Sequence, residues 1–263
     1  MSAGWYTPPP ARVTKLQCLV TSYRRPAALE ACLASMRQWD IHLYAVDGGD
    51  RDEDTTAILN RYCDRWLGVE GNPGADVLRN VGLQQFITDP VCVISSEDYI
   101  YPACWADTLL EQWYALQDAA RAGASKWGMI ACPEDGYMDG RDESEFYAGN
   151  NLFSERRMLP TYGLLGASGL MIDTDLLRRI GGFPVYGRFG RGLTALSLEM
   201  KKRHLLCGYT SDPVVTVMRG DFVKEYADRR LADHDRWDAR AFDHKPGERS
   251  GFLWPSDLPG DAL

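Results

Sequence analysis

The segment Leu16-Gln-Cys-Leu-Val-Thr-Ser-Tyr-Arg-Arg-Pro26 sets the pattern of the fold. Its apolar first half is typical of a buried strand, and the polar residues and the proline end that strand. Apolar residues then recur at helical spacing, at Leu29, Cys32, Leu33 and Met36. The stretch therefore predicts a strand, a loop and an amphipathic helix, in that order.

The same unit recurs along the chain. A second apolar run at 42–46 ends at Asp47-Gly-Gly-Asp50, and a third run at 91–95 ends at Ser96-Glu-Asp98. A helix is predicted between them at 74–86, and a further helix follows the second run, with helical spacing at Leu59, Tyr62, Cys63 and Trp66. Strands that alternate with helices predict an α/β fold whose mainly parallel central sheet is covered by helices on both faces.

The second half of the chain has a less regular pattern. The elements that we predict there are a helix with Leu109, Leu110, Trp113 and Leu116 on one face, strands at 128–131, 168–172 and 214–218, and helices at 173–180 and 193–206. Asp173 is the expected N-cap of the first of these two late helices, and Gly181-Gly182 is its expected stop. Residues 133–160 are rich in Gly, Asp, Glu and Asn and predict a long loop, which suggests a functional or mobile segment.

Length and composition indicate a folded protein with one principal domain. The 263 residues are 45% hydrophobic and 25% charged, which excludes wholesale disorder and collagen-like repeats. Lys and Arg total 29 against 37 Asp and Glu, so the net charge of −8 has the wrong sign for a surface that attracts phosphate backbones throughout. We predict a domain at 15–220, with halves at 15–132 and 133–220, an extended segment at 1–14 and a polar extension at 221–263.

The cysteines and the apolar runs indicate the compartment. Seven cysteines, an odd number scattered without a CxxC pair, suit a reducing environment. The first residues lack the basic and apolar regions of a leader peptide, and no run of eighteen apolar residues predicts a transmembrane segment. The sequence therefore predicts a cytoplasmic protein, and it gives no indication of the oligomeric state.

Polar residues that follow the predicted strands are the first candidates for a site, because ligands of open α/β sheets bind beyond the carboxyl ends of the strands. Asp47 can accept hydrogen bonds from a base or a sugar, and Tyr23 can stack on a base. The structural alternative is that Asp47-Gly-Gly is ordinary turn chemistry and Tyr23 an ordinary loop residue. The joint placement of the two residues favours a nucleotide site. GxGxxG, GxxxxGK[ST] and HExxH motifs are absent, which argues against ordinary NAD binding, P-loop chemistry and zinc proteases.

Glu97 and Asp98 follow the third predicted strand. Adjacent carboxylates in a crevice repel each other unless a cation compensates their charge. A hard divalent metal would do so and would keep coordination positions for phosphate oxygens. For this dipeptide alone, a solvated acidic turn is an equally good interpretation.

Taken in order, these motifs resemble those of the family 2 glycosyltransferases with the GT-A fold, which transfer a sugar from a nucleotide diphosphate to an acceptor. The resemblance runs from about Leu16 to Tyr209. Thr21-Ser-Tyr-Arg-Arg-Pro26 is similar to the family's opening strand and loop, and Asp47-Gly-Gly-Asp50 to its Asp-Gly-Ser stretch. The other similar segments are Asn72-Pro-Gly74, Arg79-Asn-Val-Gly82, Ser96-Glu-Asp98 as the DXD-like motif with Pro102 after it, Gly169-Leu-Met-Ile172, Leu176–Phe183 and Gly208-Tyr209.

The resemblance implies a transferase that uses a nucleotide-diphosphate sugar, expected to be a UDP-sugar, together with Mn²⁺ or Mg²⁺. It implies that Asp47 binds the base, Arg79 the diphosphate region and Asp98 the metal, with Glu97 facing the ribose or the sugar. The other donor-binding residues that it implies are Thr21, Tyr23 and Arg24.

One departure from the family pattern concerns the general base. Inverting members carry a Glu-Asp pair at the head of the late helix, but Leu196-Ser197 stands at that place in this chain. Either the base has moved to Glu199, or the enzyme retains the anomeric configuration. Retaining relatives often add a histidine to the metal site, for which His234 or His244 is available. A surface histidine is the structural alternative.

Two other functions remain open at this stage. A nucleotidyltransferase has a related fold, but it usually carries a glycine-rich basic loop after the first strand, and Tyr23-Arg-Arg-Pro26 has no glycine. A non-catalytic binding protein would explain Leu196-Ser197. The acceptor is open among a glycan, a protein and a modified nucleic acid. Clusters of basic residues would suit an anionic acceptor, although solvated helix faces explain them equally well: 156–157, 188–191, 201–203 and 229–230.

Overall fold

A computed structural model describes residues 12–49, 52–135, 159–161, 168–185, 192–210 and 213–218. His234, His244 and the predicted extension at 221–263 lie outside the described residues, as does most of the predicted segment at 1–14. Most of the predicted loop at 133–160 also lies outside them, although each of its ends contributes to a short strand.

The first half of the chain alternates strands and helices, as the sequence predicts. Its elements are β1 (Gln17–Ser22), α1 (Pro26–Met36), β2 (His42–Asp47), α2 (Glu53–Tyr62), β3 (Arg65–Gly68), α3 (Ala75–Gln85) and β4 (Val91–Ser96). Pro26 opens α1, where its missing N–H costs nothing. The side chain of Asp52 caps α2 by accepting a hydrogen bond from Thr55 N at 2.7 Å.

The second half adds shorter strands and two late helices. Its described elements are β5 (Tyr99–Ile100), α4 (Trp105–Arg121), β6 (Trp127–Ala131), β7 (Glu134–Asp135), β8 (Leu159–Thr161), β9 (Leu170–Asp173), α5 (Thr174–Arg179), α6 (Gly192–Lys202), β10 (Leu206–Tyr209) and β11 (Val215–Val217). Asp173 is the N-cap of α5, as predicted, with its Oδ1 2.7 Å from Leu176 N. Gly181 and Gly182 follow the helix with positive φ angles of 94° and 89°.

The described strands form an eight-stranded sheet with the order β3-β2-β1-β4-β9-β6-β10-β8. β1, β2, β3 and β4 are parallel, and β9 is antiparallel to both of its neighbours. The register sets Ser22 beside Asp47 and Thr21 beside Ser96. The carboxyl ends of β1, β2 and β4 therefore meet at one edge of the sheet. A second, three-stranded sheet joins β5, β11 and β7.

Helices cover both faces of the large sheet, in agreement with the predicted α/β architecture. One face carries α1, α2 and α4, whose buried residues include Leu33, Leu59 and Trp113. The other face carries α3, α5 and α6. Gly82 of α3 lies so close to β1 that a Cβ atom there would be 2.4 Å from the Leu19 side chain. Burial of these apolar faces supplies the main stabilisation of the fold.

Two helix predictions extend too far. Trp66 belongs to β3 and not to α2, because Cys63 is extended and ends the helix before the chain turns into the sheet. The helix predicted at 193–206 ends at Lys202, and Leu206 begins β10. His204 there has a positive φ of 57°, and Leu205 N returns to Met200 O at 2.9 Å, which closes the helix.

None of the described helices is long and apolar enough to cross a bilayer. All the cysteines of the chain are free, and most of them are buried. Burial raises the pKa of the Cys92 thiol to about 12, which makes it unreactive.

Candidate functional site

The ends of β1 and β2 meet at a buried carboxylate. Asp47 closes β2, and its Oδ1 accepts a hydrogen bond from Ser22 Oγ at 2.7 Å. Its Oδ2 accepts one from Gly49 N at 3.1 Å. Because the Ser22 hydroxyl lies on the strand that pairs in register with β2, the two ends fix each other. The side chain of Asp47 is therefore held in one orientation at the carboxyl edge.

Gly49 gives the turn after β2 its shape. A Cβ atom at this position would lie 3.1 Å from Asp47 Oδ2 and 3.4 Å from Arg24 N. The first contact is tighter than a side chain normally makes, and the second is at the limit of ordinary contact. The glycine thus allows the turn after β2 to pack closely against the carboxylate and the loop after β1.

Glu97 joins the loop after β4 to the end of β1. Its Oε1 accepts a hydrogen bond from Tyr23 N at 3.2 Å, and its own N–H donates to Thr21 O at 3.2 Å. Burial raises the pKa of Glu97 to about 7, helped by the charge of Asp47 and opposed by that of Arg25. Thr21, Tyr23, Asp47 and Glu97 are thus brought together, as the sequence predicts.

Arg24 and Tyr23 form the rim of this cluster. Arg24 has a left-handed backbone with a φ of 52°, and its guanidinium carbon lies 5.3 Å from the centre of the Tyr23 ring. A cation over an aromatic face is mutually stabilising. Tyr23 is half-buried and Arg24 is exposed, so both present surface to a ligand at this edge.

Asp98 stands beside Glu97, but its carboxylate has different partners. Its Oδ1 forms an ion pair with Arg25 Nη1, and its Oδ2 accepts a hydrogen bond from Ser96 Oγ at 3.3 Å. Its backbone O accepts from Met218 N at 2.7 Å, which ties the loop to the small sheet. The sequence prediction missed the Arg25 pair, because Arg25 lies 73 residues before Asp98.

The described residues contain no group of three or more His, Cys, Asp or Glu side chains placed to hold a metal. Asp98 is a single carboxylate, and 37% of its side chain is exposed at the carboxyl edge. One carboxylate fits a hard divalent ion when substrate phosphates and waters supply the other ligands. The donor set therefore fits a metal that arrives with a diphosphate and not a metal cage made of protein alone.

Arg79 is paired with Asp76 and not with any of these residues. It belongs to α3, is 7% exposed and forms an ion pair with Asp76 Oδ1 at 2.7 Å. Asp76 Oδ2 accepts a hydrogen bond from Gly192 N at the start of α6. Burial raises the pKa of Asp76, while Arg79 lowers it. The pair thus links α3 to α6, and it would have to open for Arg79 to reach a diphosphate.

Asn80, next to Arg79, makes a second link between the two halves of the chain. Its Nδ2 donates to Phe183 O at 2.8 Å, and its Oδ1 accepts from Phe183 N at 2.7 Å. Both backbone groups of Phe183 are satisfied by one side chain. Sequence reasoning recognised the Arg-Asn-Val-Gly motif but not this structural use of it.

Glu199 lies away from the carboxyl edge. It pairs with Arg203 at 2.9 Å and with Lys202 at 3.9 Å, at the C-terminal end of its own helix and just after it. Met200, the next residue, packs against Gly128 near the start of β6. Both β4 and β6 are antiparallel to β9, so β6 runs in the same direction as β4. The start of β6 therefore lies at the amino edge of the sheet, opposite the carboxyl edge. This position does not favour Glu199 as a base for chemistry at Asp98.

Comparison with known proteins confirms the predicted fold. No family model matches the chain, and no curated protein sequence matches it. Among solved structures, S. aureus TarS 1–349 has a TM-score of 0.57 and 15% identity over 86% of this chain and 73% of that one. A longer S. aureus TarS has a TM-score of 0.56 and 15% identity over 78% of this chain and 37% of its own length.

GalNAc-T7, solved with UDP, GalNAc and Mn²⁺, has a TM-score of 0.56 and 10% identity over 78% of this chain and 44% of its own length. These neighbours have the GT-A fold. At such identities the likeness concerns the fold, so this chain has the GT-A fold that its motifs predict, and membership of family 2 stays a prediction.

Proposed function

We propose that this protein is a glycosyltransferase that takes its sugar from a nucleotide-diphosphate sugar, with a UDP-sugar as the expected donor. The observation that carries the proposal is the meeting of Tyr23, Asp47, Glu97 and Asp98 at the carboxyl edge of one sheet. The GT-A fold of its structural neighbours supports it, as does GalNAc-T7, which was solved with UDP and Mn²⁺.

In this proposal the nucleoside binds over the ends of β1 and β2. Asp47 is fixed by Ser22 and Gly49, and it accepts a hydrogen bond from the base N–H. The Tyr23 ring stacks on the base, backed by the Arg24 guanidinium at 5.3 Å. Thr21 and Glu97 hold the loop that carries Tyr23, and Glu97 faces the ribose or the sugar.

Asp98 is the side chain that would hold Mn²⁺ or Mg²⁺. When bound with the donor, the ion would neutralise charge that builds up on the diphosphate leaving group. Arg79 is the predicted cation for the diphosphate region, and it would serve there if its pair with Asp76 opened. Glu199 is a poor candidate for the base, because its carboxylate pairs with Arg203 and Lys202 at the C-terminal end of α6.

A binding experiment tests the proposal. The folded wild-type chain and its Asp47→Ala variant are each titrated calorimetrically with UDP, GDP, ADP and CMP in the presence of Mn²⁺. We expect UDP to bind, and we expect the Asp47→Ala variant to lose at least tenfold in affinity, since a buried charge-assisted hydrogen bond is lost.

Asp40→Ala is the matched control, because Asp40 is an exposed aspartate whose partner is Lys15. It should bind UDP like the wild type. If no nucleotide binds to the folded protein, the proposal is wrong. If UDP does bind, release of UDP from a UDP-sugar would establish turnover by a transferase. Release of pyrophosphate from UTP and a sugar phosphate would identify a nucleotidyltransferase instead. Binding without any turnover would identify a non-catalytic protein.

A further inference from the structure

Arg25 occupies the carboxylate that the metal would need. Its guanidinium pairs with Asp98 Oδ1, while Ser96 Oγ donates to the other carboxylate oxygen. A divalent ion that approaches Asp98 therefore meets a bound cation first. Two cations compete for one carboxylate, because each loses attraction when the other is present.

The position of Arg25 makes its ion pair with Asp98 easier to open than an arginine–aspartate pair elsewhere. Arg25 is the N-cap of α1, an eleven-residue helix. The partial positive charge of a helix N-terminus repels a guanidinium and attracts an anion. The side chains of Arg25 and Asp98 are 24% and 37% exposed, so an incoming phosphate can reach both partners.

We propose that Arg25 is an internal substitute for the metal, which a nucleotide diphosphate draws away from Asp98 so that the divalent ion binds only together with the nucleotide. The inference rests on the proposed function and adds the order in which the site is filled. Arg25 is then a positioning residue for the metal and a direct ligand of the diphosphate. Guanidinium groups bind phosphate oxygens with two parallel hydrogen bonds, which compensates the pair that is lost.

The coupling between nucleotide binding and metal binding follows from charge. In the free protein Asp98 is already neutralised, so Mn²⁺ alone gains little there. When the diphosphate takes Arg25, Asp98 loses its counter-charge while two negative phosphate groups arrive beside it. Asp98 would then offer a free carboxylate beside the phosphate oxygens, and these together could supply the ligands for a divalent ion that one side chain does not supply.

The test measures metal binding directly. Free Mn²⁺ is followed by electron paramagnetic resonance during titration of wild type, Arg25→Gln and Arg25→Lys, each with and without UDP. We expect the wild type to bind Mn²⁺ weakly alone and at least tenfold more tightly with UDP. Arg25→Gln should bind Mn²⁺ alone about tenfold more tightly than the wild type, whereas Arg25→Lys, which keeps the charge, should resemble the wild type.

Arg37→Gln is the matched control, because Arg37 pairs with Asp64 at the other end of α1 with similar exposure, 30% and 37%. It should leave Mn²⁺ binding unchanged, and thermal melting checks that each variant is folded. In calorimetry without metal, Arg25→Gln should bind UDP about tenfold more weakly than Arg37→Gln, because the guanidinium contact to the phosphates is lost.

The inference is overturned if Arg25→Gln and Arg37→Gln bind Mn²⁺ alone equally, or if UDP leaves the Mn²⁺ affinity of the wild type unchanged. A failure of the proposed function looks different, since UDP would then not bind to any variant under any condition. In that case the Mn²⁺ titrations without nucleotide still decide whether Arg25 blocks Asp98.

Discussion

The two ends of α1 carry the same ion pair in different surroundings. At the carboxyl edge Arg25 pairs with Asp98, and at the amino edge Arg37 pairs with Asp64 at 2.6 Å. The exposed fractions are similar, yet the second pair is tied to the backbone: Asp64 Oδ2 accepts from Leu43 N at 2.8 Å, and Arg37 Nη1 donates to Ile41 O at 2.8 Å.

The helix dipole separates the two pairs further. Arg37 is the C-cap of α1, where a cation is favoured, and Arg25 is the N-cap, where it is disfavoured. At about 1.5 Å per residue, the helix separates Arg25 from Arg37 by roughly 18 Å along its axis. An ion pair by itself therefore does not indicate a role: its other hydrogen-bond partners and the local electrostatic field decide whether it stabilises the fold or can open for a ligand.

The largest expected difference between the two pairs is in nucleotide binding. Asp98→Ala should weaken binding of UDP with Mn²⁺ by about 100-fold, because the proposed metal ligand is removed. Asp64→Ala should leave this binding unchanged. Calorimetric titration of both variants measures the difference. Equal losses would mean that Asp98 acts through the fold and not through the ligand.

The second expected difference is in the free energy of unfolding, and here the larger loss is expected at Asp64 and not at Asp98. Asp64→Ala should lower the free energy of unfolding by about 2 kcal/mol, since it leaves Arg37 and the buried Leu43 N–H without their acceptor. Asp98→Ala should cost at most about 1 kcal/mol, as expected for a partly exposed ion pair. Urea denaturation of the ligand-free variants tests both values. A larger loss for Asp98→Ala than for Asp64→Ala would contradict the assignment.

The pH dependence of stability offers a finer test. Burial raises the pKa of Asp64, but the Arg37 hydrogen bond and the Leu43 N–H outweigh it, so the net pKa is lower than the usual value. Asp64 therefore stabilises the fold above its unfolded pKa of about 3.9 and loses this contribution as the pH falls further. Asp64→Asn should flatten the decline of stability with falling pH in this range, measured by urea unfolding.

Arg37→Gln serves as the control for that measurement. It removes the partner and not the titrating group, and it should flatten the decline in part, because the Leu43 N–H still lowers the pKa of Asp64. A decline as steep in Asp64→Asn as in the wild type would show that other carboxylates cause it.

The smallest expected effect is at a third pair, Arg61 with Glu30, which joins α2 to α1 at 2.9 Å. The side chains are 64% and 42% exposed, so solvent screens the interaction. Arg61→Gln should change the free energy of unfolding by less than about 0.5 kcal/mol. A loss as large as that of Asp64→Ala would mean that exposure is a poor guide to the strength of these pairs.

Regular patterns in the sequence predicted much of the first half. Apolar runs and helical spacing identified β1, α1, β2, α3 and β4, because burial on a sheet or on one helix face imposes a fixed period on a sequence. The short edge strand β3 was missed, since four residues with alternating exposure leave too weak a signal. The reversed direction of β9 was equally invisible, because direction depends on the connection and not on the strand's own residues.

In the candidate site, the residues that end the strands can be identified from the sequence. Because parallel neighbours present their carboxyl ends together, the common edge of Tyr23, Asp47, Glu97 and Asp98 follows from that. The partners of these side chains depend on the folded chain: Arg25 pairs with Asp98 from 73 positions away, and Gly192 donates to Asp76 from 116. Such pairings arise when distant segments pack against each other, so no local pattern records them.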